Sequence, residues 1–352
     1  MNVLITGGCG FIGSNLAVTL SEDGHEVVCF DNLLRRGSEI LLDRVLKHGC
    51  QFAHGDIRSS EDLERLPFCF DLMIECSAEP SVLVGSKGAD ARFMVNNNLV
   101  GSVNCFEYSR KNSIPTIFLS TSRVYPYNAI NALKFEENET RFELAENAAG
   151  VSFAGISIDF PLAGVRSLYG ATKLSSEMIL QEYAQSFELP CIINRCGVVA
   201  GPWQLGKVDQ GVFTYWLVNH HFKRALQYLG FGGTGKQVRD LLHIADLAAL
   251  IRKQMSVITK YRGKIFNVGG GRHANLSLQE TTTLCRQITS NEVSIQQSGT
   301  SRPADVIWYI TDSEGTEKEF GWKAERTPLE ILQDTHSWLV DNQQLITQIF
   351  GK

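Results

Sequence analysis

Asn2-Val3-Leu4-Ile5, running straight into Thr6-Gly7-Gly8-Cys9-Gly10-Phe11-Ile12-Gly13, constrains this chain more than any other stretch. An apolar run of strand length meets glycines at 7, 10 and 13, and a helical pattern over residues 11–22 begins inside the motif. That spacing predicts a strand, a turn too tight for a side chain, and a helix packed closely on the strand. The unpaired amides at such a helix start, including those of Phe11 and Ile12, favour an anion, and a dinucleotide pyrophosphate fits the pattern. Asp31 ends the second predicted strand, 24 positions after Gly7. A carboxylate there accepts both ribose hydroxyls and repels a 2′-phosphate, which favours NAD over NADP. Asn32 follows it, and Arg35 and Arg36 are the counter-argument, since guanidinium groups accommodate that phosphate. Asp56-Ile57, after the third strand, are placed to flank the adenine, with a plain turn as the alternative reading.

Short apolar runs alternate with helical patterns through the first half, which predicts an α/β fold built on a doubly wound parallel sheet (Rossmann), with a smaller α/β substrate lobe. Strands are expected at 2–5, 26–30, 51–54, 72–75, 116–120 and 191–195, and helices near 11–22, 38–48, 91–112 and 170–187. The domain reading is an NAD-binding part over 1–200 with a return segment near 241–266, and a mainly substrate-binding part over 201–352. The stretch Pro126–Arg166 is about forty residues without a clear element, long enough to be functional, and is read as a substrate-side excursion.

Composition removes several alternatives. A net charge of −5 with pI near 5.9 carries no basic stripe, so nucleic acid is not an expected partner. No apolar run approaches the 18 or so residues of a membrane span, and strand-like sequence begins at Asn2, so neither a membrane anchor nor a signal peptide is expected. Nine cysteines, an odd count without a C-x-x-C, fit reduced thiols in the cytoplasm. No His/Cys pair has ligand spacing, and no metal is expected.

Tyr169-Gly170-Ala171-Thr172-Lys173 supplies the chemistry. Positions i and i+4 share a helix face, so the Lys173 ammonium is placed near the Tyr169 phenol. A tyrosine pKa of roughly 10 must fall to about 7 for the phenol to act as a base, and neighbouring positive charge can supply that. Ser120-Thr121, at the end of the fifth strand, adds a hydroxyl beside that base.

With these parts in place the chain resembles an extended short-chain dehydrogenase/reductase, and within it the NAD-dependent nucleotide-sugar epimerases, closest to the CDP-paratose/CDP-tyvelose 2-epimerase group. The resemblance runs nearly end to end, through TGGCGFIGSN, DNLLRRG, HGDIR, STSRVY, SLYGATK, DQG at 209–211 and GKQVRDLLH at 235–243. It implies Thr121, Tyr169 and Lys173 as catalytic residues, with Lys173 also gripping the nicotinamide ribose. For the substrate-binding part over 201–352 it implies a nucleotide sugar. It implies Asn98, Asn32 and Arg36 on the cofactor side, and Arg195, Gln210, Arg239 and Arg302 with Thr121 on the substrate side, Arg239 and Arg302 suiting pyrophosphate oxygens. It further implies a homodimer or tetramer pairing the helices near 91–112 and 170–187, and a place in lipopolysaccharide or polysaccharide biosynthesis.

Related dehydratases carry Asp-Glu after the catalytic threonine and related decarboxylases a Glu, whereas this chain has Ser122-Arg123. That leaves epimerisation by redox chemistry: oxidation of a sugar carbon by NAD, then return of hydride to the opposite face. Three departures bear on the nicotinamide pocket: Glu75-Cys76-Ser77-Ala78 in place of a His-Leu-Ala-like segment, Pro126 after Tyr125, and Cys196-Gly197-Val198 after Arg195. The leading expectation is a CDP-hexose 2-epimerase. A UDP-hexose 4-epimerase is the alternative among enzymes, and an NAD-dependent sensor or scaffold the alternative outside catalysis.

Overall fold

A computed structural model describes residues 1–67, 69–82, 90–205, 211–300 and 302–350. The chain divides into two units: Met1–Val124 with Leu168–Arg195 and Ala248–Phe266, and Tyr125–Ser167 with Cys196–Leu247 and Asn267–Lys352.

The first unit is built on a seven-stranded parallel sheet. Its order is Arg262–Val268, Cys191–Cys196, Thr116–Thr121, Leu72–Glu75, Asn2–Thr6, Glu26–Asp31, Gln51–His54. The inner strands are buried along nearly their whole length, as Leu72–Glu75 and Thr116–Thr121 show. This is why they read as continuous apolar runs instead of alternating ones: helices cover both faces. Leu4, Phe30, Met73, Phe106, Phe118 and Leu180 fill one core, with the rings of Phe106 and Phe118 edge to face at 5.3 Å. Strand order reverses at Asn2–Thr6, which pairs with Glu26–Asp31 on one side and Leu72–Glu75 on the other. Ligands of such sheets bind beyond the strand ends at that reversal.

The expected helix over 91–112 is in fact three pieces: an α-turn Ala91–Val95, a π-turn Asn96–Val100 and a helix Gly101–Asn112. The wide turn has an identifiable cause. The Asn98 carbonyl accepts the hydroxyls of Ser102 and Ser176, which compete with the regular helical amide. Gly101 then meets Ile57 so closely that a Cβ would stand 2.5 Å from the isoleucine Cδ1. The helix Leu168–Phe187 starts where Gly170 passes over the carbonyl of Arg123; a Cβ there would lie 2.1 Å from that oxygen.

In the second unit, Val198–Ala200, Val238–His243, Asn275–Ser277 and Trp308–Tyr309 form a small sheet centred on Val238–His243. The expected return to the large sheet is therefore narrower than 241–266: Val238–His243 pairs within the second unit, and Ala248–Phe266 lies in the first. The excursion after Tyr125 carries a short helix, Tyr127–Asn131, and hairpins joining Phe135–Glu137 to Phe142–Leu144 and Val151–Ser152 to Gly155–Ile156. Arg141 ties it down, donating to Glu280 and, at 2.6 Å, to Asn275. Helices Leu278–Thr289 and Pro328–Asp341 each open on a capping box, Ser277 with Glu280 and Thr327 with Glu330. Among the described residues, no helix is long and apolar enough to cross a membrane.

Candidate active site

The glycine turn is a cradle that side chains would fill. Gly7 has φ +66°, and a Cβ there would stand 2.9 Å from the Cα of Ser77, beyond the fourth strand. At Gly13 a Cβ would lie 2.2 Å from the Gly7 carbonyl, so the third glycine lets helix Phe11–Glu22 close on the turn. Gly8 is equally confined, 2.6 Å from the Cβ of Cys29, although the glycine spacing does not single it out. No side chain caps this helix and its first turn holds no acid, so its leading amides suit an anionic ligand.

Asp31 stands at the rim of that turn, its carboxylate accepting the amides of Cys9 at 3.0 Å and Leu33 at 2.8 Å. Burial pushes the Asp31 carboxyl up against the pull of those two N–H groups. Asn32 donates to Asp56 at 2.9 Å, which Arg58 also grips. Burial opposes the charge on Asp56, but the Arg58 hydrogen bonds outweigh it and bring the group down to about 2. The acidic rim suits ribose and adenine and disfavours an added phosphate, and Arg36 is exposed on the turn before Ser38–Lys47. These features fit a dinucleotide of the NAD type.

Thr121 ends its strand beside the short turn Ser122–Val124. Its Oγ1 accepts the amide of Arg123 at 3.2 Å, which leaves its own O–H to donate. Tyr169, half-buried, and Lys173, buried, lie one turn apart on Leu168–Phe187, anchored to that same turn by Gly170. The Lys173 ammonium reaches Glu75 Oε2 at 3.4 Å and sits 4.4 Å over the Phe118 ring.

Several of the expected site residues are bonded within the protein. Arg195 is buried, and its Nε and Nη2 donate to the Glu177 carboxylate at 3.0 and 2.7 Å. Glu177 also takes the Ser120 hydroxyl. Arg195 thus braces the strand end and is not presented to a substrate. Asn98 is fully buried, its amide bonded both ways to the backbone of Glu79 at 2.8 and 2.9 Å, so it shapes the segment after the fourth strand and does not reach out to a cofactor. The Ile57 side chain belongs to the core against Gly101. In the second unit, Arg239 donates to Asp305 at 2.6 Å and to the Val306 carbonyl at 2.5 Å, which joins it to the Arg302–Asp305 segment but neutralises part of its charge. Gln210 lies outside the described residues.

Glu75 and Glu177 were not among the expected site residues. Glu75 had a visible signal, a single carboxylate closing the apolar run Leu72-Met73-Ile74. Glu177 is four residues beyond Lys173 on the same helix, and nothing in its spacing alone points to Arg195.

The NAD dependent epimerase/dehydratase family matches residues 3–269 of the chain. The chain is 28% identical over 346 residues to a CDP-paratose 2-epimerase of Salmonella typhi, covering 96% of this chain and 99% of that protein. It is 25% identical over 359 residues to a UDP-glucose 4-epimerase of Erwinia amylovora, covering 98% and 99%. Among solved structures, a UDP-glucose 4-epimerase with UDP-glucose from Thermotoga maritima superposes with a TM-score of 0.77 at 25% identity, covering 97% of this chain and 100% of that one.

Proposed function

The chain belongs to the NAD-dependent epimerase/dehydratase family, and from that premise we propose that it epimerises a nucleotide-linked hexose, specifically a CDP-hexose at C2. The observation that carries epimerisation over dehydration is the turn Ser122–Val124, which follows Thr121 directly and offers no carboxylate to work on a sugar carbon. Cytidine and C2 rest on the near full-length likeness to the CDP-paratose 2-epimerase.

When bound, NAD would supply the acceptor and then the donor for hydride exchange at the sugar carbon. Tyr169 removes the proton from the hydroxyl on that carbon, holds it at Oη, and gives it back when the keto-sugar is reduced. Thr121 donates its hydroxyl proton to the same sugar oxygen. Lys173 places positive charge one helical turn from Tyr169 and favours the phenolate. The amides of Phe11 and Ile12 hold the pyrophosphate of the cofactor, and Asp31 the adenosine ribose. Arg239 and Arg302 take the substrate diphosphate, with Arg239 exchanging Asp305 for phosphate oxygens.

Incubation with a panel of CDP- and UDP-sugars, read by NMR, tests the assignment: a C2 epimer from a CDP-sugar is expected. In D₂O the product should carry no deuterium on carbon, because redox epimerisation never exposes the C–H to water. Deuterium at carbon would overturn the mechanism. A rate slowed by deuterium at C4 and not at C2 would select the UDP-hexose 4-epimerase reading, which the second relative supports.

The same reading includes a homodimer. Val100, Met178 and Phe187 are large apolar side chains left exposed along the two helical segments that would pair. Light scattering at micromolar concentration is expected to give twice the chain mass. All nine cysteines are free, which fits the reducing cytoplasm where we place the enzyme.

A further inference from the structure

Among the described residues, Lys173 is paired in its burial with one carboxylate, that of Glu75. The side chains of Lys173 and Glu75 are 2% and 0% exposed, and Nζ to Oε2 measures 3.4 Å. The other carboxylate oxygen, Oε1, makes no hydrogen bond to a described residue. The groups facing Glu75 are few and come from every neighbouring element. Thr6 stands opposite it on the first strand, and Phe118 is its neighbour on the fifth. The Cys105 thiol approaches from Gly101–Asn112, and the Ser77 amide from the chain beyond the strand. None of these is a cation, and Lys173 supplies the charge that matches the carboxylate. An ammonium taken out of water in this way loses most of its hydration, and contact with an ion of opposite sign is what allows it to stay charged.

Building on the roles given above to Tyr169 and Lys173, we propose that Glu75 is a positioning residue: the buried counter-ion that keeps Lys173 an ammonium, and through it keeps Tyr169 competent as a base. Burial pushes the Glu75 carboxyl up, and the nearby Lys173 charge pulls it back. The contrary possibility is that Glu75 merely screens Lys173. Removing it would then strengthen the pull of Lys173 on the phenol, the opposite sign.

Glu75→Gln keeps the shape and an acceptor but removes the charge. The test is the thermal midpoint of the full chain at stepped pH, from about 6 to about 10, below the pKa of an ordinary lysine. Without its counter-ion a buried Lys173 loses its proton in the folded state below its unfolded value. The unfolded state then binds more protons across this window, so stability rises with pH. Glu75→Gln should show this rise relative to the native chain, and Glu75→Gln/Lys173→Met should lose it. The acid limb of kcat/KM should move up by on the order of one pH unit, since Tyr169 loses its cation.

A Glu75→Gln profile parallel to the native one, or an acid limb displaced downward, would overturn the proposal. If Glu75→Gln does not accumulate as folded protein, Lys173→Met gives the reciprocal measurement. Its unpaired Glu75 then has a folded pKa above the unfolded value, so stability should fall as pH rises from about 5 to about 8. No such fall would count equally against the pair. The stability measurements need no sugar and no turnover. Failure on every nucleotide sugar therefore defeats the proposed function and leaves Glu75 to be judged on its own.

Discussion

Arg195 and Lys173 are both cations at the inner end of the first unit's elements, each held by a buried glutamate, yet their geometry separates scaffold from chemistry. The guanidinium meets Glu177 through two nitrogens, stays charged at any working pH and has no need of water. Arg195→Met would strand the Glu177 carboxylate, and the expected loss is about 3–5 kcal/mol of stability. Thermal unfolding should register it, with KM for the sugar little changed in whatever protein remains folded; a large rise in KM without loss of stability would restore Arg195 to the substrate. Lys173 touches its partner through one atom and keeps a face on Phe118, an arrangement that responds to charge. Tyr169→Phe removes only an oxygen from the neighbouring turn. It should cut turnover by about 10²-fold or more while leaving NAD bound, as single-turnover and cofactor-content assays would show.

On the strand Val238–His243, two buried groups work against each other. Burial raises Asp240 to about 6, against hydrogen bonds from Thr311 and the Gly271 amide, and burial lowers His243 to about 4. A raised acid means that the folded state holds the extra proton, so its contribution falls as pH rises from about 4 to 6. A lowered histidine means that the unfolded state holds it, so its contribution falls as pH drops from about 6.5 to 4. The two slopes nearly cancel in the native chain. Asp240→Asn should expose the histidine slope, with the thermal midpoint dropping on acidification, and His243→Gln should expose the opposite slope. Parallel profiles in all three proteins would show that neither group titrates as stated.

Elements such as this one also mark what the sequence could and could not disclose. The glycine turn, Asp31 and the Tyr169–Lys173 pair were legible because local spacing alone dictates where they go. The strands of the sheet were legible because burial on both faces writes an unbroken apolar run. The π-turn at Asn96–Val100 was not, since its causes, the hydroxyl of Ser176 and the close approach of Ile57, come from far along the chain. The hairpins after Tyr125 were hidden for a related reason: strands of two or three residues carry no period, and the Arg141 network that fixes them joins residues 134 and 139 positions apart. Arg195 misled because a substrate-side guanidinium and a buried brace look the same in sequence until the partner carboxylate is located.

For the molecule as a whole, the glycine turn, Asp31, Tyr169 and Lys173 lie within one unit, whereas Arg239 and Arg302 belong to the other. The preparation itself should therefore report on the first unit alone. Acid extraction of purified protein is expected to release NAD without the 2′-phosphate, because an epimerase regenerates its cofactor in every cycle. Recovery of mainly NADP would overturn the role given to Asp31 and promote Arg35 and Arg36.

The backbone passes from one unit to the other after Val124, Ser167, Arg195, Leu247 and Phe266. On the ribosome this order matters. The strand Cys191–Cys196 emerges about seventy residues before Arg262–Val268, which pairs with its outer side. At roughly 5–20 residues per second the nascent chain carries that apolar edge uncovered for several seconds. An open edge reading Cys-Ile-Ile-Asn is a template for other nascent chains on the same messenger. Until Arg262–Val268 emerges, that edge is open to pairing that the finished sheet no longer permits.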